Sequence, residues 1–359
     1  MSLCRREIRL GPVRIGGDAP ISVQSMTKVP TTCFDELLAE VRRLEAEGCQ
    51  IIRIAVPDKE QSIENLTHIL DSATVPIVAD VHFDYEIALR AIERGAHGIR
   101  INPGNIRSSS KLHQIADAAR TYGTVIRVGI NSGSLEPDIR KRDGGVTPRG
   151  LTDSALRHCR EIESRNHPQI KVSIKASDLV TTINANRLFA SESNIPLHIG
   201  ITEAGPPSTG TIKSAIGIGH LLLQNIGDTI RVSLSGDPVE EVRVGSKILA
   251  CLGLLPGTPD IVSCPTCGRK NLDVTSLAES VENEVQRLIG KGYRFSISKI
   301  AIMGCAVNGP GEARDADLGV AGTQNDLVLF KNGQIVQHLS GEDIETAILE
   351  EIRLHTIHS

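Results

Sequence analysis

Eight short runs rich in Ile and Val recur through the first two thirds of the chain, and stretches with helical periodicity separate them. The helical stretches end at glycines; Phe34–Glu47, for example, carries apolar residues at helical spacing and is followed by Gly48. Eight strands that alternate with helices predict an α/β fold, an eight-stranded parallel β/α barrel of the TIM type. The predicted strands are Ile21–Met26, Ile51–Val56, Ile77–Val81, Gly98–Asn102, Val125–Asn131, Lys171–Ala176, Leu197–Thr202 and Thr229–Leu234.

The composition argues against several classes of partner. Apolar residues make up 40% of the 359 residues, but there are only five Phe and three Tyr and no Trp, which argues against a stacking platform for single-stranded nucleic acid. The net charge of −4 leaves no basic surface for nucleic acid or for an acidic membrane. Because we find neither a long apolar run nor an N-terminal secretion segment, we expect a soluble cytoplasmic protein.

The length of the chain predicts two domains. The barrel should occupy residues 1–253 and close with a helix over Pro238–Gly253, and residues 254–258 should form a linker. A small α+β domain is predicted for residues 259–359. Its expected elements are a helix near Val274–Ile289, a strand at Ser296–Met303, a hairpin at Lys331–Gly333 and a final helix over Glu342–Leu354.

Polar residues interrupt the predicted strands at every second position. Strictly alternating positions lie on one face of a strand, so these side chains should share one side of the barrel. Five of them are cations on five different strands. The candidate site residues are Arg53, Asp80, Arg100, Asn102, Arg127, Asn131, Lys175, His198, Arg231 and Ser233, with Glu203 just beyond the seventh strand.

The cations in this set need negative partners, because burying one unpaired charge costs several kcal/mol. Salt bridges at the rim of the barrel are one explanation, but Asp80 and Glu203 could pair only two of the five cations. We therefore favour an anionic ligand, and the density of cations fits two linked phosphates better than one carboxylate. The long polar segment Ser132–Gly150 follows the fifth strand and is expected to be a loop that acts as a lid or clamp.

A second candidate site lies in the C-terminal region. Cys264 and Cys267 form a C-x-x-C pair, Cys305 follows in a Gly- and Pro-rich segment, and Glu312 comes seven residues later. A closed zinc site normally has four Cys or His ligands, whereas three thiolates on a [4Fe–4S] cluster leave one iron for a weaker ligand. We interpret the three cysteines as cluster ligands and Glu312 as the candidate fourth; half of a zinc ribbon is the alternative.

Both cysteine segments resemble the cluster motifs of a known enzyme family. Cys264-Pro265-Thr266-Cys267-Gly268-Arg269 and the segment from Met303 to Glu312, MGCAVNGPGE, are similar to those of 4-hydroxy-3-methylbut-2-enyl diphosphate synthases, the iron–sulfur reductases of non-mevalonate isoprenoid synthesis. The resemblance extends from Ser22–Thr27 to the predicted final helix.

This resemblance implies an activity and a set of roles. The reaction would be the reductive ring opening and dehydration of 2-C-methylerythritol 2,4-cyclodiphosphate, with two single electrons from reduced flavodoxin or ferredoxin. Glu312 would leave the iron or give way to a substrate oxygen, and Glu203 is the candidate proton relay. The alternating barrel set would hold the diphosphate. The family also implies a head-to-tail homodimer in which the cluster domain of one subunit caps the barrel of the other.

Two other classes remain open at this point. A barrel enzyme without redox chemistry, such as an aldolase or a pterin-type synthase, would use zinc to hold its C-terminal domain together. Lys175 would then be a candidate for a Schiff base. The other class is a non-enzymatic iron sensor that binds nucleic acid through its C-terminal domain, although that domain offers little aromatic surface.

Overall fold

The structure is a computed structural model, and it describes residues 4–57, 60–81, 84–106, 108–267, 272–305, 315–322, 326–340 and 343–358. The chain divides into two compact units, Met1–Ile248 and Leu249–Ser359. The boundary predicted from the sequence, residue 253, lies five residues beyond Ile248. Within the described residues, no helix is long and apolar enough to cross a membrane.

The first unit contains a closed ring of eight parallel strands, which confirms the predicted barrel. The ring follows the order β8-β7-β6-β5-β4-β3-β10-β9, and a parallel bridge between Val172 and Leu197 joins its two ends. The strands of the unit are β1 (Ile8–Leu10), β2 (Val13–Ile15), β3 (Ser22–Met26), β4 (Ile51–Ala55), β5 (Ile77–Asp80), β6 (Gly98–Ile101), β7 (Val125–Asn131), β8 (Ile170–Lys175), β9 (His198–Ile199) and β10 (Thr229–Ile230).

Helices follow the strands in the order expected for a β/α barrel. The first helix, for example, packs an apolar stripe inward and buries Leu37, Val41 and Leu44. The helices of the unit are α1 (Phe34–Ala46), α2 (Glu60–Ser72), α3 (Tyr85–Glu93), α4 (Pro103–Ile106), α5 (Ser109–Tyr122), α6 (Pro137–Asp143), α7 (Pro148–Glu163), α8 (Leu179–Glu192), α9 (Pro207–Leu222) and α10 (Pro238–Cys251).

An antiparallel hairpin of β1 and β2 forms an apolar floor to the barrel, and sequence analysis did not anticipate it. Ile8, Leu10 and Ile15 pack in one buried cluster with inward-facing residues of the ring, among them Val78. Gly98 makes room for this plug, since a Cβ at that position would lie 2.7 Å from Leu10 Cδ1. Water is therefore excluded from the N-terminal end of the ring, and the polar interior can be approached from the carboxyl ends of the strands.

The segment predicted as a long loop, Ser132–Gly150, is largely helical, so that prediction was wrong. A short 3-10 helix, Ser132–Ser134, is followed by α6, and α7 begins at Pro148. Pro137 occupies the first turn of α6 and Gly144 ends it in the left-handed conformation, at φ +70°. These are the ordinary start and stop signals of a helix, so the local sequence did contain the information.

The second unit is a small α+β fold, as predicted. Its five-stranded sheet has the order β11-β13-β14-β15-β16, and a separate antiparallel pair joins β12 to β17. Val281, Ile300, Leu318 and Ile348 belong to its buried core. The elements are β11 (Asp260–Ser263), α11 (Val274–Gly290), β12 (Tyr293–Phe295), β13 (Lys299–Met303), β14 (Leu318–Gly322), β15 (Leu327–Lys331), β16 (Gln334–Leu339), α12 (Ile344–Leu354) and β17 (Thr356–His358).

Candidate active site

The strand register brings the predicted barrel residues to one interior face. Asp80 pairs in register with Arg100, and Arg100 pairs with Arg127 on the next strand. Four residues beyond Arg127, towards the carboxyl end of β7, Asn131 lies opposite Lys175. Residues paired across parallel strands point to the same side of the sheet, so these side chains share the barrel interior.

One buried carboxylate organises two of the arginines. Asp80 is 4% exposed; its Oδ1 lies 3.3 Å from Arg100 Nη1, and its Oδ2 lies 3.7 Å from Arg53 Nε. The guanidinium of Arg53 also contacts Met26, with Nη2 2.8 Å from the thioether sulfur. Asp80 therefore fixes the direction of both guanidinium groups while it neutralises only one of the two charges.

A second buried carboxylate, which sequence analysis missed, serves Arg231. Glu241 on α10 is 1% exposed, and its Oε2 lies 3.3 Å from Arg231 Nη2. Its Oε1 accepts from the backbone N–H of Leu234 at 3.1 Å and lies 3.3 Å from Lys28 Nζ. No local pattern marks this glutamate, because it stands in the first turn of a helix where acidic residues are common on exposed surface.

Glu203, the predicted proton relay, is exposed in the turn after β9 and adopts a left-handed conformation at φ +54°. Among the described residues it forms no ion pair with the barrel cations. The partner of Arg231 is Glu241 instead, which answers the question of how that arginine is neutralised. A non-glycine residue at positive φ is uncommon, so the turn holds this carboxylate in a specific, slightly strained position.

Three basic side chains of the barrel interior form no ion pair within the described residues: Arg127, Lys171 and Lys175. Arg127 is 2% exposed and its Nε and Nη1 atoms have no hydrogen-bond partner there. Lys171 is 1% exposed, and its Nζ is also without a partner. Sequence analysis did not select Lys171, although it lies on the same face of β8 as Lys175 at twice the alternating interval.

Burial makes the charged forms of these bases costly. It lowers the pKa of Lys175 well below the ordinary lysine value, and the nearby guanidinium groups, Arg231 first, lower it further. Burial and then Arg127 act in the same way on the pKa of His198. The pKa of Arg53 is lowered to about 9, chiefly by burial, although Asp80 opposes the shift. The interior is therefore electrostatically prepared for a ligand that carries negative charge.

Neutral hydrogen-bonding groups complete the set. His198 Nδ1 lies 2.8 Å from Thr229 Oγ1, and its buried Nε2 has no partner in the described residues. Asn102 donates to Ser134 Oγ at 2.8 Å, which ties β6 to the 3-10 helix after β7. In the amide orientation that satisfies both its ends, Asn131 accepts from Arg100 Nη2 at 3.1 Å.

The carboxyl ends of β3, β4 and β5 open into a cavity of about 510 Å³ that reaches Asp80. Lys28 lines the same cavity, and Ser233 is half-buried in the segment after β10. Enzymes with this fold place their active sites at this end of the barrel. The described part of the barrel thus presents more basic side chains than its two paired interior carboxylates, Asp80 and Glu241, can neutralise.

In the second unit, two of the predicted cluster ligands lie at the ends of neighbouring strands. Cys264 directly follows β11 and Cys305 comes shortly after β13, and the two strands pair in parallel. Both cysteines are buried, and the backbone N–H of Gly304 donates to Cys264 Sγ at 3.2 Å. Thr266 has a left-handed backbone, at φ +56°, which turns the chain between Cys264 and Cys267.

The third cysteine is placed differently. Cys267 is exposed, and no group of three Cys, His, Asp or Glu side chains in the described ranges is close enough to hold a metal ion. Glu312 falls in residues 306–314 and lies outside the described residues, so its position adds nothing to this arrangement. Two buried thiols with an N–H···S contact nevertheless fit an inorganic cluster, whose sulfurs and thiolates commonly accept such hydrogen bonds.

Comparison with known families covers almost the whole chain. The GcpE TIM-barrel domain matches residues 5–246, and the GcpE protein C-terminal domain matches residues 260–354. The chain belongs to the GcpE family. The two matched domains correspond to the barrel and to the α+β unit.

Two relatives that match nearly the whole chain carry the same name. The protein of Caldanaerobacter subterraneus subsp. tengcongensis called 4-hydroxy-3-methylbut-2-en-1-yl diphosphate synthase (flavodoxin) is 48% identical, and the match covers 97% of this chain and 96% of that protein. The Geobacter sulfurreducens protein of the same name is 47% identical with the same coverage of both chains. The family resemblance inferred from the cysteine motifs is therefore confirmed.

One solved structure is similar over part of the chain. Type I 3-dehydroquinate dehydratase from Clostridium difficile is 11% identical, with a TM-score of 0.50, and the match covers 70% of this chain and 98% of that one. Identity this low shows a shared fold and carries no argument about chemistry.

Proposed function

We propose that this chain reduces 2-C-methylerythritol 2,4-cyclodiphosphate to 4-hydroxy-3-methylbut-2-enyl diphosphate with electrons from flavodoxin. The observation that carries the proposal is the excess of cations in the barrel interior, where the buried Arg127 and the half-buried Lys175 form no ion pair among the described residues. A diphosphate is the anion that such a set would neutralise. The relatives named for this reaction match nearly the full length of the chain.

The reaction consumes two electrons and two protons. One C–O bond of the cyclic diphosphate breaks, a carbon–carbon double bond forms, and a second oxygen leaves as water. The diphosphate remains attached to the product at its other end. A site for this reaction must hold two phosphates firmly while the carbon skeleton changes, and it must deliver protons to the departing oxygen.

The barrel residues divide these tasks. Arg53 and Arg100, oriented by Asp80, would clamp the phosphate oxygens, and Arg127 and Lys175 would neutralise their charge. Four neutral residues would complete the phosphate contacts: Asn102, Asn131, His198 and Ser233. Arg231, held by Glu241, would add a further cation. Glu203, exposed in the turn beyond β9, remains the proposed proton relay.

Three thiols and one carboxylate would hold the redox group. Cys264, Cys267 and Cys305 would bind a [4Fe–4S] cluster, and Glu312 would be the replaceable fourth ligand. A bound cluster of this kind supplies one-electron transfer and a Lewis-acidic iron for an oxygen atom. The N–H of Gly304 would stabilise the charge on the Cys264 thiolate.

The expected assembly is a head-to-tail homodimer in which the C-terminal unit of one subunit serves the barrel of the other. Mixing two inactive variants would test it. Lys175→Met would disable the barrel, and Cys305→Ser would disable the cluster. If the site is shared between subunits, random re-pairing should restore about a quarter of the wild-type activity, since half the dimers are mixed and each has one intact site. No recovery after verified subunit exchange would reject the shared site.

The function itself is tested by anaerobic purification, with iron, sulfide and zinc analysis and electron paramagnetic resonance of the reduced protein. We expect about four irons and four sulfides per chain, from the proposed cluster type, and a signal that changes when the cyclic diphosphate is added. Cys305→Ser should lose the iron, while Cys251→Ser, at an exposed cysteine in α10, should retain it. Glu312→Ala should keep much of the iron and lose turnover.

Two results would contradict this proposal. Stoichiometric zinc without sulfide would discard the redox reaction, and attention would turn to carbonyl chemistry at Lys175. Full turnover in Glu312→Ala would remove that residue from its assigned role while leaving the reaction intact.

A further inference from the structure

Lys171 is the one basic residue of the described barrel interior that the proposed mechanism does not use. It stands at the start of β8, beside Arg127 in the register, and its side chain is among the largest in the chain that are fully buried. The apolar floor formed by the β1–β2 hairpin closes the barrel below this level. Lys171 therefore lies below the mouth, in the wall beneath the proposed diphosphate site.

The groups that face Lys171 are basic or neutral. Arg127 on β7 and Arg53 on β4 are its nearest charged neighbours, and His198 on β9 lies close enough to interact with its charge. The parallel bridge between Val172 and Leu197 places His198 level with Ser173, one residue along the strand from Val172. The buried carboxylate of Asp80 is already engaged by two arginines.

These surroundings disfavour an ammonium group at Lys171 as long as no anion is bound. Burial first, and then Arg127 and Arg53, lower the pKa of Lys171 well below the ordinary lysine value. The amine nitrogen also has no hydrogen-bond partner among the described residues. A neutral amine is accordingly the expected state, and it costs less than a buried, unpaired cation.

We propose that Lys171 is a further anion-binding residue of the barrel, an uncharged amine in the free protein that takes up a proton when the diphosphate enters. This inference rests on the proposed function, because the diphosphate supplies the negative charge. Two phosphate charges would replace a repulsive environment by an attractive one, and the ammonium form would then be favoured. Lys171 would thus act as a reserve cation that appears only when its counter-charge is present.

A lysine that is protonated only when the anion binds has a physical advantage over a permanent charge. A fixed cation at this depth would destabilise the empty barrel, whereas an amine that protonates on demand repels Arg127 and Arg53 only while the anion is bound. By linkage, the affinity for the diphosphate must then increase as the pH falls through the range in which the free amine is neutral.

Isothermal titration calorimetry of the oxidised, full-length protein with 2-C-methylerythritol 2,4-cyclodiphosphate tests whether Lys171 takes up a proton on binding. Without reductant there is no turnover, and the cyclic diphosphate does not titrate between pH 7 and 9, because each phosphorus carries a single, strongly acidic hydroxyl that is already ionised. Repeating the titration in buffers of different ionisation enthalpy counts the protons taken up. We expect net proton uptake by the wild type and a clearly smaller uptake by Lys171→Met, the remainder coming from Lys175.

Lys171→Met should also bind the cyclic diphosphate about tenfold more weakly than the wild type at pH 7, which corresponds to one unit of pKa change. This difference in affinity should be smaller at pH 9. Lys171→Arg should retain affinity at pH 7 but lose this part of the uptake there, because a guanidinium is a stronger base than an amine and keeps its charge at that pH. Lys213→Met, at an exposed lysine on α9, is the matched control and should behave as the wild type. Lys171→Met should be as heat-stable as the wild type or more so, since it removes a buried amine without a partner.

Equal affinity and equal proton uptake in Lys171→Met and the wild type would overturn the inference. Weaker binding by Lys171→Met with unchanged proton uptake would overturn it too, because the role of the side chain would then be packing. If folded wild-type protein fails to bind the cyclic diphosphate at all, the proposed function fails instead. If Lys171→Met does not fold, the comparison of Lys171→Arg with the wild type decides the same question.

Discussion

Glu241 is the residue on which the strongest stability prediction rests. Its carboxylate is buried and receives four contacts: Ser25 Oγ at 3.1 Å, the Leu234 N–H at 3.1 Å, Arg231 Nη2 at 3.3 Å and Lys28 Nζ at 3.3 Å. Replacing Glu241 by Gln keeps the size and one oxygen acceptor but removes the charge that faces two cations. Arg231, only 12% exposed at its side chain, would be left without a counter-ion in the described barrel.

The size of the effect follows from burial. Removing one partner of a buried ion pair costs about 3–5 kcal/mol. The lower end applies here, because the side chain of Lys28 is 35% exposed and can be hydrated when its partner is lost. We therefore expect Glu241→Gln to reduce the free energy of unfolding by about 3 kcal/mol. For a unit of this size each kcal/mol lowers Tm by roughly 2–4 °C, so Tm should drop by roughly 6–12 °C.

The neighbouring residue provides a matched control. Glu240 precedes Glu241 in the same helix turn, but its side chain is 48% exposed and pairs with Arg243 Nη1 at 2.6 Å on the surface. Surface pairs of this spacing contribute about 0.5 kcal/mol or less. Glu240→Gln should therefore lower Tm by no more than about 2 °C, by the same conversion.

Thermal and urea unfolding of both variants at pH 7, followed by circular dichroism, measure the difference. The KM for the cyclic diphosphate should also increase in Glu241→Gln, because Arg231 loses the carboxylate that orients it. Equal and small shifts of Tm in the two variants would refute the claim that a buried carboxylate holds this side of the barrel mouth.

Two further predictions concern backbone packing and acid stability. A Cβ at Gly200 would lie 2.2 Å from the backbone oxygen of Arg231, so Gly200→Ala should lower Tm. A Cβ at Gly219, inside α9, would have no atom within 4 Å, so Gly219→Ala should raise the free energy of unfolding by roughly 0.5–1 kcal/mol. Equal effects of the two substitutions in thermal unfolding would contradict this prediction. Hydrogen bonding to Arg287 lowers the pKa of Glu284 from 4.5 to about 2, so its contribution to the C-terminal unit is present above pH 4.5 and is lost as the pH falls towards 2. Glu284→Gln should flatten that part of the stability curve in denaturant titrations from pH 6 to 2, and an unchanged acid limb would contradict the assignment.

The alternation of side chains along the predicted strands is enough to predict much of the site. Alternation along the strands predicts one shared face for Arg53, Asp80, Arg100 and Arg127, and their register in the barrel agrees with that placement. The same rule applies to Lys171, which shares the face of Lys175. The sequence does not reveal the burial of Lys171, because this residue stands first in the predicted strand, where a lysine is more often exposed to solvent.

Other features are out of reach for local reasoning. Glu241 is separated from Ser25 by most of the barrel sequence, and only ring closure brings the two to a hydrogen-bond distance of 3.1 Å. The hairpin of β1 and β2 consists of strands of three residues each, too short for a periodic signal. The expectation of a loop at Ser132–Gly150 failed for a different reason, since Pro137 and Gly144 are residue types common in loops but here begin and end a helix.

The sequence by itself determined the class of fold, the identity of the family and the residue types that carry the chemistry. Period, caps and cysteine spacing are local properties, and they follow from the chemistry of neighbouring residues. Only the tertiary structure decided which carboxylate neutralises which cation, which thiols are buried and where the barrel is sealed. Electrostatic pairing depends on distance and burial, and both arise when strands distant in sequence close into a ring.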